Sequence, residues 1–234
     1  MFSHRYEVRY GDYLDLHTVK PAALLDMVQD VSSLHSAACG YDMRSLYAGG
    51  LCWILQGMKL RLLAPADNQR PIDAFTAVSQ MKGITSERGC ILQQEGVTIA
   101  KTVANWVLFD MAAQKLARFP DGMAEAYGLH DFQDDFFRYH KPAPVAETQP
   151  LYSLPVGRRE IDTNRHLNNQ KGAELLMEAL PEGFSFREMS VYYKRSAYEG
   201  DVLTLSRAEI ENGWYAALHG ADGGLCLAAR FTSE

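Results

Sequence analysis

The chain contains no run of about 18 uninterrupted apolar residues, so nothing in it reads as a membrane-spanning helix. Its first residues, MFSHRYEVRYGD, lack the apolar stretch of a secretion signal. An excess of basic residues is also missing: 23 lysines and arginines against 29 acids give a formal net charge of -6 and a pI near 5.7. That excludes a global positive field drawing the protein to nucleic acid or anionic lipid, and an acidic partner has to be met by a local basic patch. Cysteine is scarce. Cys39, Cys52, Cys90 and Cys226 are scattered, with no C-x-x-C pair and no histidine at zinc-finger spacing, which argues against a disulfide framework and a structural metal. Together these absences describe a reduced, cytoplasmic, soluble protein, and no cofactor is expected. What remains is 234 residues, 47% apolar and 22% charged, enough to bury one large core or two moderate ones.

The order of elements repeats. A strand-like YEVRYGDYLDL leads through His17 and Thr18 into a helical pattern in which Leu24, Met27, Val28, Val31, Leu34 and Ala38 recur, with Pro21 suited to the first turn and Gly40 to the stop. Later, YSLPVGRREID runs through His166 and Asn168 into KGAELLMEALPEG, where Ala173, Leu176, Met177 and Leu180 form a second helical stripe ended by Pro181. Each helix precedes a series of strand-like segments: CWILQGMKLRL, DAFTAVSQM, RGCILQQ and VTIAKTVANWVLFD, then FREMSVYYKR, DVLTLSRAEI, GWYAALHG and GLCLAARFTSE. Turn signals punctuate both, at Gln94-Glu95-Gly96 and Ala221-Asp222-Gly223-Gly224. The pattern predicts an α+β fold in which a sheet wraps a central helix, twice: residues 1–118, a linker over 119–150 with a short helix near Asp121 to Tyr127, and residues 151–234. One continuous barrel with two unrelated helices is the plainer alternative.

Polar side chains crowd into EIDTNRHLNNQK. Read as an extended segment, Asp162, Asn164 and His166 alternate onto one face, and Asn168 or Asn169 suits the N-cap of the following helix. Unpaired amides at that helix start, with the positive end of its dipole, would stabilise a carbonyl oxygen gaining charge. A carboxylate, an imidazole and an amide beside such a site fit acyl hydrolysis by water. The same residue types also serve ordinary turns and caps, and Asp with His can bind metal, although no second cluster of ligands lies nearby in sequence. The corresponding stretch of the first half, GDYLDLHTVKP, keeps Asp15 and His17 but lacks the asparagine pair, so one site in the second half is expected.

The stretch DTNRHLNNQKGAELLMEALP resembles the acyl-acyl carrier protein thioesterase family, whose C-terminal half has the pattern D-x-N-x-H-x-N-N followed by a helix. VQDVSSLHSAACG, GLCWILQGMKLRL and NWVLFDMAAQKLARFP resemble that family's first helix, its W-x-L strand and its W-V-L-x-D strand ending in R-x-P, in the family's order. The resemblance implies a tandem double hot-dog fold and hydrolysis of the thioester between a fatty acyl chain and a carrier protein's phosphopantetheine. It makes Asp162, Asn164 and His166 the catalytic residues. Where the family often has an acid, and plant members a neighbouring cysteine, this chain has Ser196 and Ala197, which counts against a Cys-His mechanism; Ser196 would supply only a hydrogen bond, and Glu199 would replace the acid if the register differs.

On this reading water attacks directly, Asn164 orients it or holds the carbonyl, and amides near Asn168 and Asn169 take the oxyanion charge. Either Asp162 or His166 serves as base, since a desolvated carboxylate can be raised into the range of an imidazole. Leu24, Met27, Val28, Val31, Trp53 and Leu55 are candidates for the acyl pocket. Arg158, Arg159, Arg165, Lys171, Lys194 and Arg195, with Arg187, would form a basic rim for the acidic acyl carrier protein. The alternatives are an acyl-CoA thioesterase on the same scaffold and a non-catalytic acyl-binding module. Chain length and the choice between monomer and homodimer are left open.

Overall fold

The computed structural model describes residues 1–233 and divides into two compact units, Met1–Tyr139 and His140–Glu234. In the first, β1 (Phe2–Tyr6) is followed by α1 (Pro21–Ala38), α2 (Met43–Ala48), β2 (Leu51–Leu62), β3 (Ile72–Lys82), β4 (Thr85–Gln94), β5 (Val97–Asp110), β6 (Lys115–Ala117) and α3 (Met123–Tyr127). In the second, β7 (Gln149–Pro155) precedes α4 (Asn169–Met177), β8 (Glu188–Tyr193), β9 (Val202–Ile210), β10 (Gly213–His219) and β11 (Leu225–Thr232). The strand order is β1-β3-β4-β5-β2 in one and β7-β9-β10-β11-β8 in the other, with β6 added beside β5. Every pairing within these runs is antiparallel. Element by element this is the same path, so the tandem organisation holds and the single-barrel alternative does not.

The central helix of the first unit forms where its stripe and caps place it. Pro21 occupies N1, where a missing N–H costs nothing, and Gly40 takes the left-handed φ of 82° that ends the helix beyond the Cys39 cap. Its core face buries Leu24, Met27, Val28 and Val31. Strands β4 and β5 meet across Glu95 and Gly96, both at positive φ, which is the two-residue turn that matches strand twist. In the second unit α4 stops at Met177, a turn before the expected end at Pro181, and buries Ala173 and Leu176. Gly172 lets it approach β11: a Cβ there would stand 2.8 Å from the Leu227 methyl.

Two expectations change. The strand-like segments ahead of both helices break early: YEVRYGDYLDL is strand only to Tyr6 and then turns through a 3-10 segment at Tyr10–Asp12, and YSLPVGRREID turns likewise at Arg158–Glu160. In each case an acid closes the turn, Asp12 accepting from the Arg9 amide and Glu160 from the Gly157 amide, both at 2.8 Å. The second change concerns the region read as linker. Much of it belongs to the first unit: Met123 and Tyr127 pack with Leu46, Val78 and Leu108, and Phe136 and Phe137 pack on Val103. Gly89 makes room for that docking, because a Cβ there would lie 2.5 Å from the Phe132 ring and 2.7 Å from Phe137. Helix α2 and strand β6, six and three residues long, were not anticipated.

Replacing Gly89 with alanine should therefore push both rings outward. We expect a loss of about 1–3 kcal/mol in urea unfolding, together with faster proteolytic cleavage around residues 131–139, whereas unchanged stability and cleavage would show that the rings are not seated there.

Candidate active site

The polar stretch is not extended. Asp162 N–H donates to the His166 carbonyl at 2.9 Å, Arg165 N–H donates to the Asp162 carbonyl at 3.0 Å, and Arg165 itself sits at a left-handed φ of 63°. Inside this turn Asp162 Oδ1 accepts the amides of Asn164 at 2.8 Å and His166 at 3.3 Å, the side-chain-to-backbone closure that aspartate favours in turns. So the strand alternation expected to align Asp162, Asn164 and His166 is replaced by a tight loop, and these three residues are held together by Asp162 itself. Its Oδ2 is left without a partner among the described residues, as are both imidazole nitrogens of His166. The His166 and Tyr198 rings meet in a T-shaped contact with centroids 5.0 Å apart.

The loop is anchored on both sides. Ile161 and Leu167 form a bridge, Leu167 N–H donates to the Ala197 carbonyl at 2.8 Å, and Asn168 N–H donates to the Glu160 carbonyl at 2.8 Å. Asn168 then caps α4, its Oδ1 accepting the amides of Gln170 at 2.9 Å and Lys171 at 3.2 Å. These bonds narrow the expected oxyanion site. The amides of Asn168, Gln170, Lys171 and Gly172 are all committed within the chain, and the amide of Asn169, at the first helical position, is the one there with no partner among the described residues. The Asn169 carbonyl accepts from the Tyr193 hydroxyl at 2.9 Å, which ties the helix start to β8.

The first unit repeats the anchoring bonds of this frame, though not the turn inside it: the bond from the Arg165 amide to the Asp162 carbonyl has no counterpart, because the His17 amide donates to the Asp15 side chain. Tyr13 bridges Val19, Leu14 N–H donates to the Thr18 carbonyl, Val19 N–H to the Ala66 carbonyl and Lys20 N–H to the Asp12 carbonyl. The hydrogen bonds place Leu14, Leu16 and Thr18 where the second unit has Asp162, Asn164 and His166. They also put Lys20, which makes no side-chain cap, in the place of Asn168, and Pro21, which has no N–H, in that of Asn169. Asp15 and His17, which the sequence pairs with the second site, fall one position out of step. Asp15 only closes its own turn, accepting the His17 and Thr18 amides at 2.7 Å.

Ser196 is exposed in the segment after β8, one residue from the Ala197 carbonyl that holds Leu167, and makes no contact with His166 among the described residues. Glu199 does not take the place of an acid beside the imidazole either; its carboxylate faces Arg158 Nε at 3.4 Å. The neighbour of His166 is Tyr198, which sequence reading missed. The expected basic rim is largely neutralised in place: Arg159 lies on Glu160, Lys171 on Glu174 at 2.8 Å, and Arg195 on Asp222 through two bonds of 2.5 and 2.8 Å. Those partners hold Glu160 and Asp222 below the usual carboxylate range, the guanidinium hydrogen bond being the first cause in both. Arg165, Arg187 and Lys194 of the named rim make no ion pair among the described residues.

Of the residues expected to line an acyl pocket, Leu24, Met27, Val28 and Val31 share the buried face of α1, and Leu55 is buried on β2. Trp53 packs instead into the cluster of Leu46, Val78, Leu108, Met123 and Tyr127, its ring 5.8 Å from that of Phe119. No group of three or more His, Cys, Asp or Glu is placed to hold a metal ion, and no helix is long and apolar enough to cross a membrane, among the described residues.

A helix held in an antiparallel sheet, present twice, is the tandem hot-dog architecture, and solved structures agree. An acyl-ACP thioesterase from Bacteroides thetaiotaomicron superposes with a TM-score of 0.88 at 16% identity, covering 99% of this chain and 97% of its own. A 12:0-ACP thioesterase from Umbellularia californica gives 0.85 at 14%, covering 99% and 96%. At such identities these likenesses speak for the fold. Residues 1–127 match the acyl-ACP thioesterase N-terminal domain, more than half of the sequence, and the chain belongs to the acyl-ACP thioesterase family. A chloroplastic oleoyl-acyl carrier protein thioesterase of Arabidopsis thaliana is 20% identical over 250 residues, covering 95% of this chain and 68% of the plant protein.

Because Asn168 caps the helix that presents the Asn169 amide, Asn168→Ala should cost about 1 kcal/mol of stability and lower kcat more than it raises KM. Lys20→Ala in the first unit, with no side-chain cap to lose, should leave kcat and KM unchanged; an equal loss of activity in the two would remove the special standing of the second loop.

Proposed function

We propose that Asp162, Asn164 and His166 carry the reaction, with the Asn169 amide as oxyanion donor. As a member of the acyl-ACP thioesterase family, the protein hydrolyses the thioester of a fatty acyl chain on acyl carrier protein. Water adds to the thioester carbonyl, its proton passes to the base, and the carbonyl oxygen takes the charge. Collapse then breaks the C–S bond, giving the free acid and, with a proton returned to sulfur, the phosphopantetheine thiol. Asp162 Oδ2 or an imidazole nitrogen of His166 accepts the water's proton, and both are uncommitted in the chain. Asn164 orients the water. With Ser196 apart from the imidazole and no cysteine in its neighbourhood of the sequence, attack by water rather than by a side-chain nucleophile fits best.

One observation carries this reading. The same anchoring hydrogen bonds hold a loop in both units, and only the second has the Asp, Asn and His side chains together with a helix-start amide free to donate among the described residues; in the first, proline removes the donor. We place the acyl chain against the buried face of α1, and docking of the acidic carrier at Arg165 and Lys194, two rim cations without an ion pair among the described residues.

Thiol release from acyl-ACP should fall about 100-fold or more in Asp162→Ala and in His166→Ala, while Asp162→Asn keeps the oxygen that closes the loop and separates loss of charge from loss of shape. Near-normal turnover in the Ala variants would end the assignment. Turnover of acyl-ACP should weaken with salt and with Arg165→Glu; indifference to both, with equal use of acyl-CoA, would point to coenzyme A esters.

A further inference from the structure

The one fully enclosed guanidinium of the first unit has no acid beside it. Arg88, on β4, is 6% exposed, and its partners are all neutral: His35 Nδ1 at 2.8 Å from Nη1, Thr76 Oγ1 at 3.4 Å from Nη1, and Ser36 Oγ at 3.4 Å from Nη2. The Tyr127 ring lies over it, 5.5 Å from the guanidinium carbon, and the Tyr127 hydroxyl donates to Ser36 Oγ at 2.9 Å. His35 is kept neutral by burial and then by the Arg88 charge itself, which press its pKa to about 4, so it accepts from Arg88 and cannot compensate it. Thr76 spends its own proton on the Gly89 carbonyl at 2.9 Å. A guanidinium does not shed its proton in a protein, and an enclosed cation without an anion costs several kcal/mol. Of its five donor hydrogens, the bonds above use three, two of them long, and Nε makes none.

The place of this cluster gives it a use. Along α1 the buried stripe is apolar through Leu24, Val28 and Val31, then turns polar at Ser32 and at His35, whose ring accepts from Arg88. Trp53, among the residues that sequence assigns to the acyl pocket, reaches the same Tyr127. The apolar stripe thus gives way to a buried cation with donors to spare. A plain methyl terminus placed there leaves both the charge and the spare hydrogens unmet, whereas a carboxylate pairs the charge and a hydroxyl oxygen accepts a spare hydrogen.

We propose that Arg88, with His35, Ser36 and Thr76 around it, is a receptor for an oxygen-bearing group at the far end of the acyl chain, so that the preferred substrate is an acyl thioester oxygenated distant from its reacting carbon. The inference rests on the reading that the first unit takes the acyl chain. A small inorganic anion held permanently by Arg88 would satisfy the same chemistry, and the test separates the two.

The full chain is assayed on acyl-ACP pairs matched in length, plain against ω-carboxylated and ω-hydroxylated, across a ladder of lengths. The wild type should favour an oxygenated chain in kcat/KM by about tenfold or more at one length, since a site built to hydrogen-bond a group rejects the analogue lacking it; Arg88→Met should reverse that ratio. Preference for the plain chain at every length overturns the proposal. Should Arg88→Met fail to fold, the wild type alone decides through its melting temperature with free diacids, matched monoacids and sodium sulfate. Stabilisation by a diacid of one length beyond the monoacid and sulfate supports the receptor. Stabilisation by sulfate equal to that by the diacid, or by neither, overturns it. Diacid stabilisation without turnover of any thioester would count against the reaction assigned to the second unit and for the receptor.

Discussion

The candidate site depends on one carboxylate oxygen. Asp162 Oδ1 gathers the amides of Asn164 and His166 and so turns what would be a strand end into a loop, with Arg165 paying the strain of a left-handed backbone. Without that closure the three side chains have no reason to converge, because strand alternation is absent. The same carboxylate keeps its second oxygen available. One atom of the side chain closes the turn and the other stays free for the chemistry proposed for it, so the turn reading of the polar stretch does not compete with the catalytic one.

The paired units make the division visible. Antiparallel order, bridge, 3-10 turn and helix start recur, so the frame belongs to the fold rather than to the reaction. What differs is chemistry laid on that frame: leucines at Leu14 and Leu16, both more than 60% exposed, stand in place of the aspartate and the asparagine. Tyr198 adds something no acid supplies. An aromatic ring packs against His166 without a hydrogen bond to either ring nitrogen, whereas a carboxylate partner would fix one of them and its tautomer.

How much was legible follows from the range of the interactions involved. Helix α1 could be read almost to the residue, because its stripe, Pro21 and Gly40 act locally, and the long strands β2 to β5 announced themselves by composition and turns. The loop geometry could not, since alternation and an aspartate-closed turn use the same residue types. The docking of residues 119–139 was hidden because its signal is a missing side chain at Gly89, far away in sequence. Tyr198 was invisible for a similar reason: its task is set by a contact with His166 from another segment. The correspondence of the halves was misjudged by residue identity, where Asp15 and His17 look right, and corrected by hydrogen bonds, where they are one place out.

Pro21 has an evolutionary consequence. In a duplicated frame, a second active centre is ordinarily a few substitutions away, and drift could revisit it. Here the helix that begins at Pro21 is stabilised by the very residue that deletes the donor, so restoring an amide alone weakens the helix start and returns nothing until Leu14, Leu16, Thr18 and Lys20 have changed as well. No single substitution leads the first half to the arrangement of the second.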